Sequence, residues 1–175
     1  MTEESAPQRR LWVVRHAKSD WSTGLDDIDR PLSKRGRRDS PEIGLWLNER
    51  GARIQLALVS TSRRTRQTWS HASDTYAHEC PAQFDSNIYD ADSAELLDLV
   101  RTCPAAVTQV ALVGHSPGCQ DLVRVLTAGA GDSDAQLAVM TKYPTSAVAE
   151  IAIATSWEDV GPGSGSLVSF GVPRG

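Results

Sequence analysis

The sequence predicts an α/β domain with a mostly parallel sheet, and three observations carry that expectation. First, Leu11 to Val14, Leu56 to Val59 and Val110 to Val113 are short, wholly apolar runs, the pattern of strands buried on both faces. Second, the stretches between them carry helical spacing and helix-cap signals. Third, 175 residues with 40% hydrophobic and 23% charged content suit one globular domain, able to bury about 70% of its unfolded surface without a metal or disulfide staple.

Residues 1–9 are polar and aperiodic and are expected to form a frayed tail, with 10–175 as the single domain. Leu11 to Val14 is the first strand. Ser19 to Pro31 is rich in Asp, Ser and Gly and reads as a loop. Ser33 is placed to cap a helix reaching Asn48, with Gly51 just past its end. Pro41 should kink that helix, or Ser40-Pro41 should start a second one. Leu56 to Val59 is the second strand. Arg63 to His78 follows as a helix, with Trp69, Ala72 and Tyr76 at helical spacing. Ile88 and Tyr89 close a weaker strand, and Ser93 should cap a helix over Ala94 to Arg101. After the strand at Val110 to Val113, Ser116-Pro117 reads as cap and first residue of a helix through Leu126. Residues 129–136 read as a loop. Ala147 to Ala154 and Leu167 to Phe170 are late strands, separated by a Gly/Pro/Ser loop at 161–166.

Charge and cysteine usage exclude several classes. Lys plus Arg is 18 against 22 Asp plus Glu, for a net charge of −4; a dedicated nucleic-acid binder usually carries a basic excess. The three cysteines, Cys80, Cys103 and Cys119, form neither a disulfide framework nor a zinc site and fit a reducing compartment. No apolar run approaches the roughly 20 residues of a membrane span, and no signal-peptide core follows Met1. The expectation is a cytoplasmic protein with no membrane or nucleic-acid partner.

Parallel sheets bind ligands at the carboxyl ends of their strands. Arg15 and His16 follow the first strand. Ser60 follows the second, with Arg63, Arg64 and Arg66 at the next helix start. Gly114, His115 and Ser116 follow the third. Of only four histidines, two fall at these ends. An acidic chain that gathers Arg and His at one edge is building an anion site. Guanidinium forks match phosphoryl oxygens, and a neutral imidazole can attack phosphorus in line and carry it as phosphohistidine.

Val13-Val14-Arg15-His16-Ala17-Lys18-Ser19 resembles the Arg-His-Gly signature of the histidine phosphatase (phosphoglycerate mutase-like) superfamily, and most closely its small SixA-like subgroup. Arg30-Pro31-Leu32-Ser33 with Arg35-Gly36, Ser60 to Thr68, and Leu112-Val113-Gly114-His115 resemble the next blocks in the same order. The resemblance implies a three-layer α/β/α fold in minimal form, without the helical cap insertion. It implies His16 as nucleophile, with Arg15, Arg64 and His115 gripping the phosphoryl oxygens, and no metal or other cofactor. Lys18 and Ser19 are placed to line the pocket. Larger members carry their general acid on an insertion for which the segment between Thr68 and Val110 has no room; by position the candidate is Asp90, equally readable as a turn residue after a strand. Weak proton donation favours a good leaving group, such as a protein phosphohistidine. The expected partner is a phosphorylated small molecule or a phosphoprotein, with oligomeric state open.

Other readings carry less. Gly114-His115-Ser116-Pro117-Gly118 matches the nucleophile elbow of serine hydrolases, but the residue after the serine must supply an oxyanion-hole N–H, and Pro117 has none. Ser116 is better read as a helix cap. Cys119 and Arg124 miss the spacing of a cysteine phosphatase. Asp27 and Asp29 resemble an aspartyl-phosphate motif without its strand; pairing of that loop with Arg30 or Arg35 is the plainer reading. His71 and His78 lack metal-ligand spacing. A non-catalytic phosphate-binding domain of the same fold is the competing class.

Overall fold

The computed structural model describes residues 8–175. The frayed tail expected over 1–9 falls almost wholly outside the described residues, and Arg9 already belongs to the first strand, β1 (Arg9–Arg15). Then come α1 (Lys34–Glu49), β2 (Leu56–Ser60), α2 (Arg63–Thr75), β3 (Ala82–Asp85), α3 (Ser93–Arg101), β4 (Gln109–Gly114), α4 (Gly118–Thr127), α5 (Ser133–Thr141), β5 (Val148–Ile153) and β6 (Gly165–Gly171). Short 3-10 turns at Asp27–Asp29 and Ser86–Ile88 interrupt the loops.

The sheet runs β3-β2-β4-β1-β5-β6. The first four strands are mutually parallel, and β5 and β6 add antiparallel at one edge. Side chains alternate across a strand. Thus Leu11 and Val13 of β1 join the core under α3, α4 and α5, while Trp12 and Val14 join the opposite core with Ile43 and Leu47 of α1 and Trp69 and Ala72 of α2. Helices cover both faces, as the continuous apolar runs required, and the fold is three-layer α/β/α.

Several element boundaries differ from the sequence reading. α1 continues through Pro41 as one helix, and Ser33 caps it as expected, its Oγ accepting from the Gly36 N–H at 3.1 Å. Asp92, not Ser93, caps α3 in a reciprocal box with Glu95. The strand assigned to Ile88 and Tyr89 lies upstream at Ala82–Asp85; as an edge strand with largely exposed side chains it shows no apolar signal, and Ile88 instead plugs the core from the 3-10 turn. The loop read at 129–136 contains the start of α5, whose cap Asp132 accepts from the Ala135 N–H at 2.8 Å. This helix buries only Ala135 and Val139, too narrow a stripe to produce a visible period; its packing against β6 and α4 holds it. Ser116 caps nothing: α4 begins at Gly118 with Pro117 at the cap position.

Candidate active site

Sheet order does most of the assembly. β4 lies between β1 and β2, with Val14 opposite Val113 and Val113 opposite Val59. Neighbouring strands are about 4.8 Å apart, so the residues leaving their carboxyl ends, His16, His115 and Ser60, become neighbours. The His16 and His115 ring centroids are 5.3 Å apart.

His16 is buried. Its Nδ1 lies 2.7 Å from the Ala17 carbonyl, which can only accept, so Nδ1 carries the proton and Nε2 keeps its lone pair. Ala17 is held in turn by Thr68, whose Oγ1 accepts from the Ala17 N–H at 2.9 Å and donates to the Arg64 carbonyl at 2.7 Å. Gln67 accepts from the Leu32 N–H at 2.8 Å. The Gln67-Thr68 pair therefore ties the loop after β1 to α2. Burial is the main force holding the His16 imidazole well below its ordinary pKa, and the nearby His115, Arg64 and Arg15 add to it. His115 is pushed down to about 4, by burial first and then by Arg64. Both rings are neutral at pH 7.

Each nitrogen of His115 already has a partner. Nδ1 accepts from Arg64 at 3.3 Å, and Nε2 stands 2.8 Å from Ser60 Oγ and donates to it. To grip a phosphoryl oxygen, His115 must exchange one of these contacts. The Tyr89 ring stands edge-on to His115, at 5.5 Å and 89°.

The arginines share one pattern. Arg15 donates from its terminal nitrogen to the Tyr143 carbonyl at 2.7 Å. Arg30 donates to Ser19 Oγ and, at 2.7 Å, to Asp27 Oδ1. Arg64 donates to the Asp27 carbonyl at 2.6 Å and to Asp27 Oδ2 at 3.0 Å. In all three the Nε–H is buried and has no hydrogen-bond partner among the described residues. The positive charge of these guanidiniums beside two neutral imidazoles favours an anion at the site.

The structure brings together His16, Arg64 and His115, with Arg15 at the end of β1 close enough to lower the pKa of both imidazoles. Ser19 is buried and engaged by Arg30. Lys18 is exposed, and its carbonyl rather than its ammonium is used, accepting from the Ser33 N–H at 2.9 Å. Asp90 is exposed, adopts φ 57°, and makes no hydrogen bond with the cluster; its neighbour Tyr89 reaches the site instead. Sequence reasoning did not assign Ser60, Tyr89, Tyr143, Arg30 or Asp27 to the site. Ser60 was findable, since it stands at the carboxyl end of β2. Asp27 and Tyr89 had no such marker, because loops of unpredictable path carry them inward.

Two glycines make the site buildable. A Cβ on Gly36 would lie 2.1 Å from the Lys18 carbonyl oxygen, and one on Gly118 would lie 2.4 Å from the Ala91 carbonyl oxygen. Only glycine lets α1 and α4 press against the two loops that carry the site's rim.

Residues 11–101 match the profile of the histidine phosphatase superfamily (branch 1), and the chain belongs to that family. The uncharacterized protein Rv1276c of Mycobacterium tuberculosis is 36% identical over 163 residues, covering 92% of this chain and 100% of the relative. A structure from Agrobacterium tumefaciens, provisionally described as a phosphohistidine phosphatase SixA, superposes with a TM-score of 0.78 at 27% identity, covering 94% of this chain and 98% of the other. The protein histidine phosphatase SixA in complex with tungstate shares the fold, with a TM-score of 0.72, 24% identity and coverage of 94% and 97%. Family and neighbours together support a phosphatase function.

Proposed function

We propose that the protein is a metal-independent phosphatase that works through a phosphohistidine on His16. The observation that supports this most is the juxtaposition of a neutral His16, its Nε2 lone pair unengaged, with His115 and the Arg64 guanidinium that donates to it. In the first step His16 Nε2 attacks phosphorus, and the bond to the leaving group breaks with its electron pair departing. Arg15 and Arg64 offset the charge on the equatorial oxygens. His115 joins them by exchanging one of its present partners. In the second step water attacks phosphorus and His16 leaves, regenerating the free imidazole.

The preferred substrate carries a good leaving group, such as a protein phosphohistidine, a related phosphoramidate or an activated ester. Two observations favour it. Asp27, at the mouth, is held ionised by the Tyr89 hydroxyl and the Arg30 guanidinium, then by Arg64, so it holds no proton to donate. Asp90 hydrogen-bonds no member of the cluster among the described residues. Poor leaving groups without protonation lose about 10²–10⁴ in rate.

Trapping with ³²P-labelled substrate tests the reading. The wild-type protein should yield an acid-labile label that His16→Ala abolishes. A hydrolysis panel of phosphohistidine peptides, acyl phosphates, sugar phosphates and nucleotides then ranks leaving groups; equal rates on sugar phosphates and phosphohistidine peptides would refute the preference.

A further inference from the structure

We propose that Asp27 is a positioning residue: a single carboxylate that holds the guanidiniums of Arg30 and Arg64 in place beside the two imidazoles before substrate arrives. This rests on the phosphatase reading of the site and names a part of its machinery.

The geometry is convergent. Asp27 Oδ1 accepts from Arg30 at 2.7 Å. Asp27 Oδ2 accepts from Arg64 at 3.0 Å and from the Tyr89 hydroxyl at 2.6 Å. The Asp27 carbonyl takes a second Arg64 N–H at 2.6 Å. The partners come from three separate stretches: the loop before α1, the first turn of α2, and the segment after β3. Arg30 and Arg64 are buried, whereas the Asp27 side chain is 47% exposed. The carboxylate thus meets the two buried guanidiniums from the solvent side.

An ordinary surface ion pair contributes little, but this one has a different task. A free arginine side chain carries about 2 kcal/mol of rotamer entropy. Fixing two of them before substrate arrives removes that cost from binding. The carboxylate also offsets charge where guanidiniums crowd together in a half-buried site, since Arg64 and Arg15 both act on the same two imidazoles. The Tyr89 and arginine donors keep Asp27 ionised throughout the neutral range, so the clamp stays engaged whenever His16 is competent to attack. Tyr89 links it to the catalytic pair, because the ring whose hydroxyl binds Asp27 packs edge-on against His115.

The test compares Asp27→Asn with wild type in the wild-type and Arg64→Ala backgrounds. It reads phosphoramidate hydrolysis, tungstate affinity by calorimetry, and Tm. In the wild-type background, Asp27→Asn should lower kcat/KM about 10-fold or more, as expected for lost charge-assisted hydrogen bonds. Most of the loss should appear in KM, with a matching weakening of tungstate binding. In the Arg64→Ala background the same replacement should cost about 3-fold or less, because the coupling partner is gone. Tyr89→Phe, which retains the ring, should give a smaller loss of about 3- to 5-fold. An unchanged kcat/KM, tighter tungstate binding, or an equal loss in both backgrounds overturns the proposal. A loss that tracks a fall in Tm rather than tungstate affinity also overturns it. If the phosphatase reading itself were wrong, the wild-type protein would show no label on His16; a labelled wild type with an unaffected Asp27→Asn variant isolates failure of this inference alone.

Discussion

The imidazole of His115 is clamped between one donor and one acceptor: Arg64 donates to its Nδ1 at 3.3 Å, and its Nε2 donates to Ser60 Oγ at 2.8 Å. A protonated His115 would have to break with Arg64, because two N–H donors cannot share one bond. The contact therefore works with burial to keep the ring neutral. It also makes the imidazole pair asymmetric, since His16 has one nitrogen committed to Ala17 and the other without a hydrogen bond among the described residues.

The pH dependence of the reaction follows from that neutrality. Both histidines have pKa values depressed below the ordinary 6.5, so kcat/KM should show no loss from histidine protonation on lowering the pH from 8 to about 6, where a free histidine would already be protonating. Activity should fall only as the pH approaches the value of about 4 reached by His115. A kcat/KM profile with an acid limb centred at 6.5 would show that the imidazoles titrate as exposed groups.

Stability should follow the same sign. Each histidine's folded pKa lies below its unfolded one, so the unfolded chain binds more protons between the two values. The His115 contribution is present above pH 6.5 and is lost as the pH falls through about 4, and the His16 contribution is lost in the same direction. Scanning calorimetry should find Tm declining over that window, and a His115→Ala variant should decline less steeply.

Arg64 carries the largest expected single effect among the arginines. Replacement by alanine should reduce turnover by roughly 10²–10³, the usual cost of removing an oxyanion donor. Lysine should restore little, because an ammonium cannot serve Asp27, His115 and a phosphoryl oxygen from one planar fork. Steady-state kinetics on phosphoramidate checks both variants, and unchanged turnover in Arg64→Ala removes Arg64 from the site.

Ser60→Ala tests the less obvious support of His115. The variant leaves the buried Nε2–H without its acceptor, a cost of about 1–3 kcal/mol. Scanning calorimetry should record a Tm loss, and Ser60→Thr, which keeps the hydroxyl, should show less of it.

Gly36→Ala tests the packing of α1 against the loop after His16. The new methyl would sit 2.1 Å from the Lys18 carbonyl, and overpacking of this kind costs about 1–3 kcal/mol even though alanine is the better helix former. Thermal melts should show a drop of about 2–4 °C for each kcal/mol. Activity should fall as well, because the displaced loop carries Ser19 and Arg30.

Strong local patterns explain what could be read in advance. The unbroken apolar runs of β1, β2 and β4 require cover on both faces, and the cap at Ser33 and glycine at Gly51 bound α1 whatever its surroundings. The carboxyl ends of the buried strands marked Arg15, His16, His115 and the group Arg63, Arg64 and Arg66, among which the family resemblance singled out Arg64. The misses have a common cause. β3 is an exposed edge strand and α5 has too narrow an apolar stripe, so neither carries a strong local period.

By itself, then, the amino-acid order determined the layered α/β class, the strands that deliver the cationic and imidazole groups, and the family blocks in which they stand. Tertiary structure alone decided which of those groups touch, that His16 keeps Nε2 free while both nitrogens of His115 are engaged, and that Asp27 and Tyr89 reach across to Arg64. Periodicity and capping act over a few residues and are written locally. Contacts between a loop, a helix start and a distant turn depend on how separate elements pack, and no local pattern encodes that path.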